Sequence, residues 1–408
     1  MNIFDIPVDI LKEIFEFSDF ITKIRFRQIC KYSYKNLHII DFYNIEEKYL
    51  EKLTDDILKK HKFIKYLDAL NNPKINNVSF MTSLKGFDAS ENCGINQNGI
   101  KSLNLIKLVA RNNSKINNVS FMTTLKELYA SADCGIHQIG INGLDLIKFD
   151  ANNNSKITNV NFMLNLKELN ANQECGINQS GIEGLNLIKL NVGHNQKIKD
   201  VSFMTNLKKL IIFGDCGIDQ SGIKGLDLIK LDVDFNSKIK NVSWMKNLKE
   251  SYAEGNCGID QSGINGLNLI KLNIFDNSKI KDVSFMTNLK ELYAGGNCGI
   301  DQIGIKGLNL IKLYANYNSK IKDVSFMKNL KELDAAGTCG IDQEGIKGLD
   351  LIKLDISDNS KITDVSFIKS LKELDASGNC GIDQNGIKGL NLIKFKAYGN
   401  LKIKVLVG

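Results

Sequence analysis

Residues 371–382 read Leu-Lys-Glu-Leu-Asp-Ala-Ser-Gly-Asn-Cys-Gly-Ile, and close variants of this stretch recur upstream at one fixed interval. The cysteine marks each copy most clearly, because Cys134 follows Cys93 by 41 residues and every later step is the same. The eight copies carry Cys93, Cys134, Cys175, Cys216, Cys257, Cys298, Cys339 and Cys380. A fixed period of this size predicts a repeat architecture in which stacked units share one continuous core.

Each 41-residue unit contains two similar parts, of 20 and 21 residues, that follow the pattern Leu-x-x-Leu-x-apolar-x-x-Asn. We call them the first half and the cysteine half. First halves begin at residues 64, 105, 146, 187, 228, 269, 310, 351 and 392, and cysteine halves begin at 84, 125, 166, 207, 248, 289, 330 and 371. Nine first halves and eight cysteine halves predict seventeen coils within residues 64–408, the last of them cut short.

This pattern resembles the leucine-rich repeat. The fold class that the resemblance implies is α/β: a leucine-rich repeat solenoid with a parallel concave sheet and a convex side of short 3₁₀ or extended segments. About 20 residues per coil leave no room for full α-helices on the convex side. The ninth-position asparagine of each first half, such as Asn359, should turn inward and bond backbone groups that the turn leaves unpaired.

The composition limits which classes of protein the chain can belong to. The 408 residues are 43% hydrophobic and 24% charged, with a formal net charge of +7. No run of about 18 apolar residues occurs, so we expect no membrane span. Acidic residues interrupt the first 30 positions, which is unlike a secretory signal. We therefore expect an intracellular protein, cytoplasmic, with the nucleus as a second option.

The cysteines predict no special chemistry. Successive cysteines would lie two coils apart, or roughly 10 Å at about 4.8 Å per strand, whereas a disulfide needs Cα atoms within about 7 Å. No Cys-x-x-Cys pair occurs, and the chain has only 4 histidines, so the pairs that make zinc sites are absent. We expect buried free thiols, no metal and no cofactor.

Residues 1–63 differ from the repeats. Apolar residues at 6, 10, 11, 14 and 15 have the spacing of a helical stripe, and a second stripe follows from Ile21 to Tyr34. We predict short amphipathic helices in residues 1–40. Residues 41–63 are charged and helix-prone, with a helix start at Thr54 or Asp55, and we interpret them as a connector and N-terminal cap.

The first segment carries a second resemblance. Residues 6–15 read Ile-Pro-Val-Asp-Ile-Leu-Lys-Glu-Ile-Phe, and residues 26–32 read Phe-Arg-Gln-Ile-Cys-Lys-Tyr. Together they resemble an F-box, which implies docking to a Skp-type adaptor within an SCF-type (cullin-RING) ubiquitin ligase complex. The adaptor-binding residues that the resemblance implies are Ile6, Pro7, Leu11, Ile14, Phe15 and Ile29. The repeats would then hold an unknown target protein.

Two alternatives stay open for this segment and for the chain. Residues 1–40 could instead only cap the repeats, which would leave a binding scaffold with no ubiquitin link. Catalysis is not expected, because the histidines lie in unrelated contexts and neither a phosphate-binding glycine loop nor a metal spacing appears.

The candidate target-binding site lies where the repeat copies differ in sequence. From Lys107 onward the third position alternates between lysine and glutamate along adjacent strands, and Lys209 interrupts the alternation. The fifth, seventh and eighth positions become aromatic in one region. We predict a target-binding cluster on the concave face from Lys209, Phe213, Phe235, Tyr252, Phe275, Tyr293, Tyr314 and Tyr317, since aromatic clusters mark binding hot spots. The alternative is unselected drift after repeat duplication.

A further lysine column, such as Lys115 and Lys156, follows each first-half strand at roughly 10 Å spacing. That spacing could meet phosphates, but nearby aspartates dilute its charge, so we interpret it as a solvated rim and expect no nucleic-acid partner. High asparagine, lysine and isoleucine content and near-identical copies resemble the F-box repeat proteins of amoebae and large DNA viruses, which would imply a virus–host role in the host cytoplasm.

Overall fold

A computed structural model describes residues 8–29, 33, 35, 37–43, 45–61 and 63–403. The chain forms two compact units, Met1–Leu187 and Ile188–Gly408, called unit 1 and unit 2 below. Each is described by itself.

Unit 1 begins with short helices. They are α1 (Val8–Phe17), α2 (Phe20–Gln28), α3 (Glu47–Leu50) and α4 (Asp55–Lys59). Helix α2 starts at Asp19, whose carboxylate accepts a hydrogen bond from the Thr22 amide at 2.9 Å. The Thr54 hydroxyl accepts from the Ile57 amide at the start of α4, which confirms the predicted helix start.

The rest of unit 1 is a parallel sheet whose strands pair in chain order. The strands are β1 (Asp41–Phe42), β2 (Tyr66–Asp68), β3 (Gly86–Asp88), β4 (Lys107–Val109), β5 (Glu127–Tyr129), β6 (Lys148–Asp150) and β7 (Glu168–Asn170). Short 3₁₀ helices, Gln97–Ile100 and Gln138–Ile141, lie on the return segments.

Unit 2 repeats the same arrangement. Its strands are β8 (Lys189–Asn191), β9 (Lys209–Ile211), β10 (Lys230–Asp232), β11 (Glu250–Tyr252), β12 (Lys271–Asn273), β13 (Glu291–Tyr293), β14 (Lys312–Tyr314), β15 (Glu332–Asp334), β16 (Lys353–Asp355), β17 (Glu373–Asp375) and β18 (Lys394–Lys396). Its 3₁₀ helices are Ser221–Ile223, Ser262–Ile264, Glu344–Ile346 and Asn385–Ile387.

Every strand from β2 to β18 falls on one predicted repeat copy, and the central residue of each strand up to β17 is buried. Leu313 of β14, for example, lies in register with Leu292 and Leu333. A coil cannot bury these side chains alone, so neighbouring coils bury them together. The predicted parallel strands with short 3₁₀ returns are confirmed.

The ninth-position asparagines bond as predicted. The Asn318 side-chain amide donates to the carbonyls of Ala294 at 2.8 Å and Ile300 at 3.1 Å, and its oxygen accepts from the Lys320 amide. The same bonds recur at Asn113, Asn154, Asn277, Asn359 and Asn400. Each asparagine thereby pairs backbone carbonyls of the preceding coil that no strand reaches.

A second side chain joins the coils on the return segments. The Gln302 amide nitrogen donates to the Asp323 carbonyl at 2.8 Å, and its oxygen accepts from the amides of Lys322 and Asp323 at 2.9 Å. Gln261 and Gln343 make the same bonds in neighbouring copies. The Cys-Gly-Ile-Asp-Gln phrase is therefore a structural connector between coils.

The repeat cysteines are buried, and their sulfurs are not joined in disulfides. Burial raises the pKa of the Cys134 thiol to about 11, so this sulfur stays protonated and unreactive at neutral pH. The glycine that follows it also has a structural reason, since a Cβ atom on Gly135 would lie 2.4 Å from the Ser114 carbonyl oxygen. The phrase thus keeps two coils in close contact.

Candidate protein-binding surfaces

We call the third, fifth, seventh and eighth positions of each coil the strand face. The third and fifth positions flank the buried central residue of a strand, so their side chains point away from the core. The seventh and eighth positions lie in the turn that follows.

From β10 to β18 the third position alternates between lysine and glutamate on neighbouring strands. The distance from the lysine nitrogen to the carboxylate is 3.1 Å for Lys230–Glu250 and 3.0 Å for Lys312–Glu332. Exposed pairs of this kind contribute at most about 1 kcal/mol each to stability. Their main effect is that this part of the row carries almost no net charge.

Lys209 breaks the alternation. It lies on β9 in register with Lys189 of β8 and with Lys230 of β10. Lys209 is exposed, and within the described residues of unit 2 neither Lys189 nor Lys209 forms an ion pair. Three lysines therefore stand side by side, and only Lys230 has a carboxylate partner.

The predicted aromatic residues fall into two groups, of which the first lies on the strands. The Lys230 nitrogen lies 4.5 Å from the centre of the Tyr252 ring, and the Lys271 nitrogen lies 5.1 Å from the centre of the Tyr293 ring. Both contacts are cation–π geometry. These rings are half-buried beneath their neighbours, which leaves their edges for a partner.

Tyr293 and Tyr314 form the tightest aromatic pair of this group. Their rings stack with centroids 4.2 Å apart and an interplanar angle of 2°. The Tyr314 hydroxyl donates to a Glu332 carboxylate oxygen at 3.3 Å. Burial, with Tyr293 and Glu332 beside it, raises the pKa of the Tyr314 phenol above its usual range, so the hydroxyl remains a donor throughout the neutral range.

The second group lies in the turns that follow the strands. Phe235 and Tyr317 occupy the left-handed region, at φ 58° and 60°, and are 58% and 54% exposed. The Phe235 ring lies over Gly255, where a Cβ would be 2.3 Å from it. Phe213 lies over Gly193 and Phe275 over Gly295 in the same way. The structure therefore places the seven predicted aromatic residues along the strand face in two groups, and Lys209 on β9.

Carboxylates that the sequence did not single out lie beside the tyrosines. Burial, with Asp232 and Glu254 nearby, raises the pKa of Asp234 to about 7. Asp334 lies in register with Asp355, which lies in register with Asp375. Burial first, and these like charges second, raise the pKa of Asp334 to about 6. These aspartates occupy the same strand-face positions as the aromatic residues, and that shared position could have identified them from the sequence.

Unit 1 contains a comparable tyrosine at the fifth position, Tyr129, which the sequence did not single out. The Tyr129 ring centre lies 5.5 Å from the nitrogens of Lys107 and Lys148 and 5.3 Å from the Arg111 guanidinium carbon. Arg111 also pairs with Asp150 at 3.3 Å. Tyr129 occupies the fifth position, as Tyr252 does, and that shared position was the available signal.

The predicted adaptor-binding residues separate into buried and exposed sets. Ile6 and Pro7 lie outside the described residues. Leu11 and Phe15 are buried, and the Phe15 ring contacts Phe26 edge to face at 6.4 Å. Ile14 and Ile29 are exposed.

Two further residues of α1, which were not predicted, extend the exposed apolar surface. Ile10 is 47% exposed and Phe17 is 91% exposed. Ile10, Ile14 and Phe17 follow one another at helical spacing on α1. We call these three residues the α1 apolar face.

The lysine column after each first-half strand differs from the solvated rim that was predicted. The Lys279 nitrogen donates to the Cys257 carbonyl at 2.7 Å, and Lys320 donates to Cys298 at 2.8 Å. The same contact occurs at Lys115, Lys156, Lys238, Lys361 and Lys402. These ammonium groups bond the preceding coil, so they are part of the repeat and do not form a free phosphate-binding column.

The described residues contain neither a cluster of metal-ligating side chains nor a helix that could span a membrane. No group of three or more histidine, cysteine, aspartate or glutamate side chains there could hold a metal ion. No helix in that part of the chain has both the length and the apolar character needed to cross a membrane.

Comparisons with known proteins give a likeness in fold and none in sequence family. A scan against protein-family models finds no match. A search of curated proteins finds none either. Among solved structures, the chain is similar to the mouse RP105/MD-1 complex, with a TM-score of 0.53, 17% identity, and coverage of 84% of this chain and 72% of that chain.

Other solved structures have lower scores. The yeast Rad7 and Elc1 complex gives a TM-score of 0.40 at 16% identity, covering 85% of this chain and 86% of that chain. A leucine-rich repeat protein of Leptospira interrogans gives 0.37 at 15% identity, covering 89% and 95%. The fold of this chain is a leucine-rich repeat solenoid preceded by a small helical segment.

Proposed function

We propose that this protein is a protein-interaction scaffold that acts as the substrate-recognition subunit of an SCF-type ubiquitin ligase. The α1 apolar face docks a Skp-type adaptor, and the strand face of unit 2 holds the protein to be modified. The observation that carries the proposal is the combination of an F-box-like sequence with an apolar surface on the helix that this sequence forms.

The adaptor end is supported by exposure. Phe17 is almost fully solvated and Ile14 lies one turn before it on α1. Exposed apolar residues clustered on one helix are typical of a docking surface for a partner. Leu11 and Phe15 hold the adjoining side of α1, about 100° around the helix from Ile10 and Ile14, inside the chain, which fixes the orientation of the exposed side. Within the F-box-like motif, Leu11 and Phe15 therefore anchor the helix, and Ile14 is left exposed for a partner.

The amino-acid composition of the unit 2 strand face supports the proposed target-binding role. The unit 2 strand face carries three tyrosines on strands and five phenylalanine or tyrosine rings in turns, whereas its interior is the same in almost every copy. Tyrosines held by cations and carboxylates present a rigid surface that loses little conformational entropy on binding. Such a surface fits recognition of a folded or extended protein.

The chain itself needs no catalytic group in this role. By holding a target beside a ligase, it raises the effective concentration of the target's lysines at the reaction site. We therefore propose that the protein is not an enzyme, that it works without a cofactor, and that it acts in the cytoplasm or nucleus, where the F-box resemblance places such subunits.

Co-precipitation with a purified Skp-type adaptor tests the adaptor end. Ile14→Asp with Phe17→Asp should abolish capture, because two charges would be placed on the α1 apolar face. The matched control is Ile57→Asp on α4, a residue that is also exposed but lies outside the F-box-like sequence. Failure of the unaltered protein to capture the adaptor would overturn the proposal.

The second candidate is a scaffold in which residues 1–40 only cap the repeats. It is favoured by the burial of Leu11, Phe15, Leu37 and Ile39, because removing them would expose apolar surface of unit 1. Deletion of residues 1–40 distinguishes the two. If residues 1–40 are a cap, their deletion should lower the melting temperature of unit 1 sharply, and no adaptor binding is lost because there was none. If they are an adaptor motif, their deletion should abolish adaptor capture and leave the repeats folded.

A further inference from the structure

Strands β8 and β9 are two adjacent strands of unit 2 that both lack an acidic residue on the strand face. Their third, fifth, seventh and eighth positions hold Lys189, Asn191, Gly193, His194, Lys209, Ile211, Phe213 and Gly214, with no carboxylate among them. The four following strands, β10 to β13, each carry at least one acidic residue at these positions. Strands β14 and β18 carry none, but Lys312 and Lys394 at their third positions pair with Glu332 and Glu373 of neighbouring strands. The face of β8 and β9 is therefore cationic and partly apolar.

The positive charge is concentrated in one row. Lys189, Lys209 and Lys230 are in register on three adjacent strands, so their backbones span about 10 Å. Glu250 neutralises Lys230 at 3.1 Å, which leaves the excess charge on the other two. Like charges directly opposite each other on a sheet oppose folding slightly, and an anion that binds between them would relieve that repulsion.

An apolar surface adjoins the lysines on the same strands. Ile211 is partly exposed two residues after Lys209. The Phe213 ring meets the His194 ring edge to face, with centroids 5.1 Å apart and an interplanar angle of 87°. This contact holds the phenyl ring in place, so that Ile211 and Phe213 form a short apolar strip beside the lysine row.

Carboxylates limit the length of any anion that binds there. Asp232 and Asp234 follow Lys230 on β10, and Glu254 follows on the next coil. A nucleic-acid backbone that continued along the coils would bring its phosphates onto these carboxylates. The site therefore fits a short anionic group and disfavours an extended polyanion.

We propose that β8–β10 bind a short acidic segment of the partner protein, with anionic side chains on Lys189 and Lys209 and an adjoining apolar side chain on Ile211 and Phe213. This inference rests on the target-binding role proposed above and assigns that target a chemical class. Carboxylate and phosphoryl side chains share the required charge, and the test separates them.

Fluorescence anisotropy with the full chain at low ionic strength tests the site. The probes are a labelled short peptide that alternates glutamate with leucine, the same peptide with phosphoserine in place of glutamate, and a labelled oligothymidylate. Both anionic peptides should bind, and the tighter one identifies the natural anion. Affinity should fall as salt is added, since the contact is electrostatic.

Two substitutions locate the binding. Lys209→Glu should weaken the peptides by about tenfold or more, and it restores the lysine–glutamate alternation of the later strands, so the fold tolerates it. Ile211→Asp should weaken them as well, and aspartate already occupies this position in β10, β15, β16 and β17. The matched control is Lys328→Glu, which makes the same charge change at an exposed loop position and should leave binding unchanged.

Several results would overturn the site. They are no binding of either peptide by the unaltered protein, equal binding by Lys209→Glu and Lys328→Glu, or tighter binding of the oligothymidylate than of the peptides. Adaptor capture is measured on the same samples. Capture without peptide binding would refute the acidic-segment site alone, and peptide binding without capture would refute the ubiquitin-ligase role alone.

Discussion

The interior of the coils and the strand face of unit 2 are built from the same repeat but vary in opposite ways. Inside, the same asparagine, glutamine and lysine side chains bond the same backbone atoms from copy to copy, as at Asn318 and Asn359. On the strand face, neighbouring strands carry tyrosine, aspartate or isoleucine at one position. The difference indicates that the interior maintains the solenoid and that the strand face is where a partner can be distinguished.

The largest effect is expected at a glycine of the interior. Gly258→Ala would place a Cβ 2.4 Å from the Ile239 carbonyl oxygen and 2.5 Å from that of Ser237. Because both are backbone atoms, the coils must separate, and we expect the free energy of unfolding to fall by about 3 kcal/mol. Chemical denaturation measures the loss.

The control for this glycine is Gly307→Ala. No atom lies within 4 Å of the Cβ position there, although φ is +77°. Only the backbone conformation opposes the change, at a cost of about 1 kcal/mol. Equal losses of stability in the Gly258 and Gly307 variants would show that close contact between coils does not determine which interior positions require glycine.

A smaller loss is expected from the asparagine column. Asn318→Ala removes two hydrogen bonds to buried carbonyls and leaves those carbonyls unpaired, which should lower stability by about 2 kcal/mol. The comparison is Asn297→Ala at an exposed turn position, where about 0.5 kcal/mol or less is expected. A neutral Asn318→Ala would contradict the structural role of the column.

One interior position breaks the repeat, and its repair should be stabilising. Ser251 lies in register with Leu231 and Leu272, is 1% exposed, and its hydroxyl has no hydrogen-bond partner among the described residues. Ser251→Leu removes an unpaired polar group and buries an apolar one, and we expect a gain of about 1 to 2 kcal/mol. A loss in thermal or chemical denaturation would mean that neighbouring side chains already fill the space.

The smallest effect is expected on the strand face, as a change with pH. Asp234 has a pKa of about 7 in the folded chain, raised from 3.8. Between these values the folded state retains a proton that the unfolded state releases, so this group's contribution to stability is present below about pH 4 and is lost as pH rises towards 7. Asp234→Asn should therefore be increasingly more stable than the unaltered protein over that range.

Asp219 should show the opposite dependence of stability on pH. Hydrogen bonds from Ser221 and Gly222 lower the pKa of its carboxyl below 3.8, so its stabilising effect is present above that value and is lost at lower pH. Asp219→Asn should lose stability at neutral pH and show little difference in strong acid. If both variants shifted in the same direction in pH-dependent denaturation, the assigned causes would be wrong.

Much of the interior could be predicted from sequence because its period is exact. The leucine spacing fixed the strands, and the ninth-position asparagine had a recognisable task at each turn. The bond from Lys279 to the Cys257 carbonyl could not be anticipated, since it depends on how one coil lies on the preceding one. A lysine after a strand looks the same in sequence whether it is solvated or bonded.

The strand face was harder to predict for a related reason. Sequence identified Lys209 and the aromatic residues as departures from the repeat, but not that Phe235 and Tyr317 lie in left-handed turns while Tyr293 and Tyr314 stack on strands. In the N-terminal segment the F-box resemblance named Leu11 and Phe15 together with Ile14, and only the packing of α1 separates the buried pair from the exposed residue. Burial depends on tertiary contacts that a motif does not record.

The most direct test of the account is calorimetric titration of a purified Skp-type adaptor into the full chain. The account predicts saturable binding with one adaptor per chain, retained by Lys209→Glu and by Ile57→Asp and lost when Ile14 and Phe17 are both changed to aspartate. Absence of heat with the unaltered protein, or undiminished binding by the Ile14 and Phe17 double variant, would contradict it.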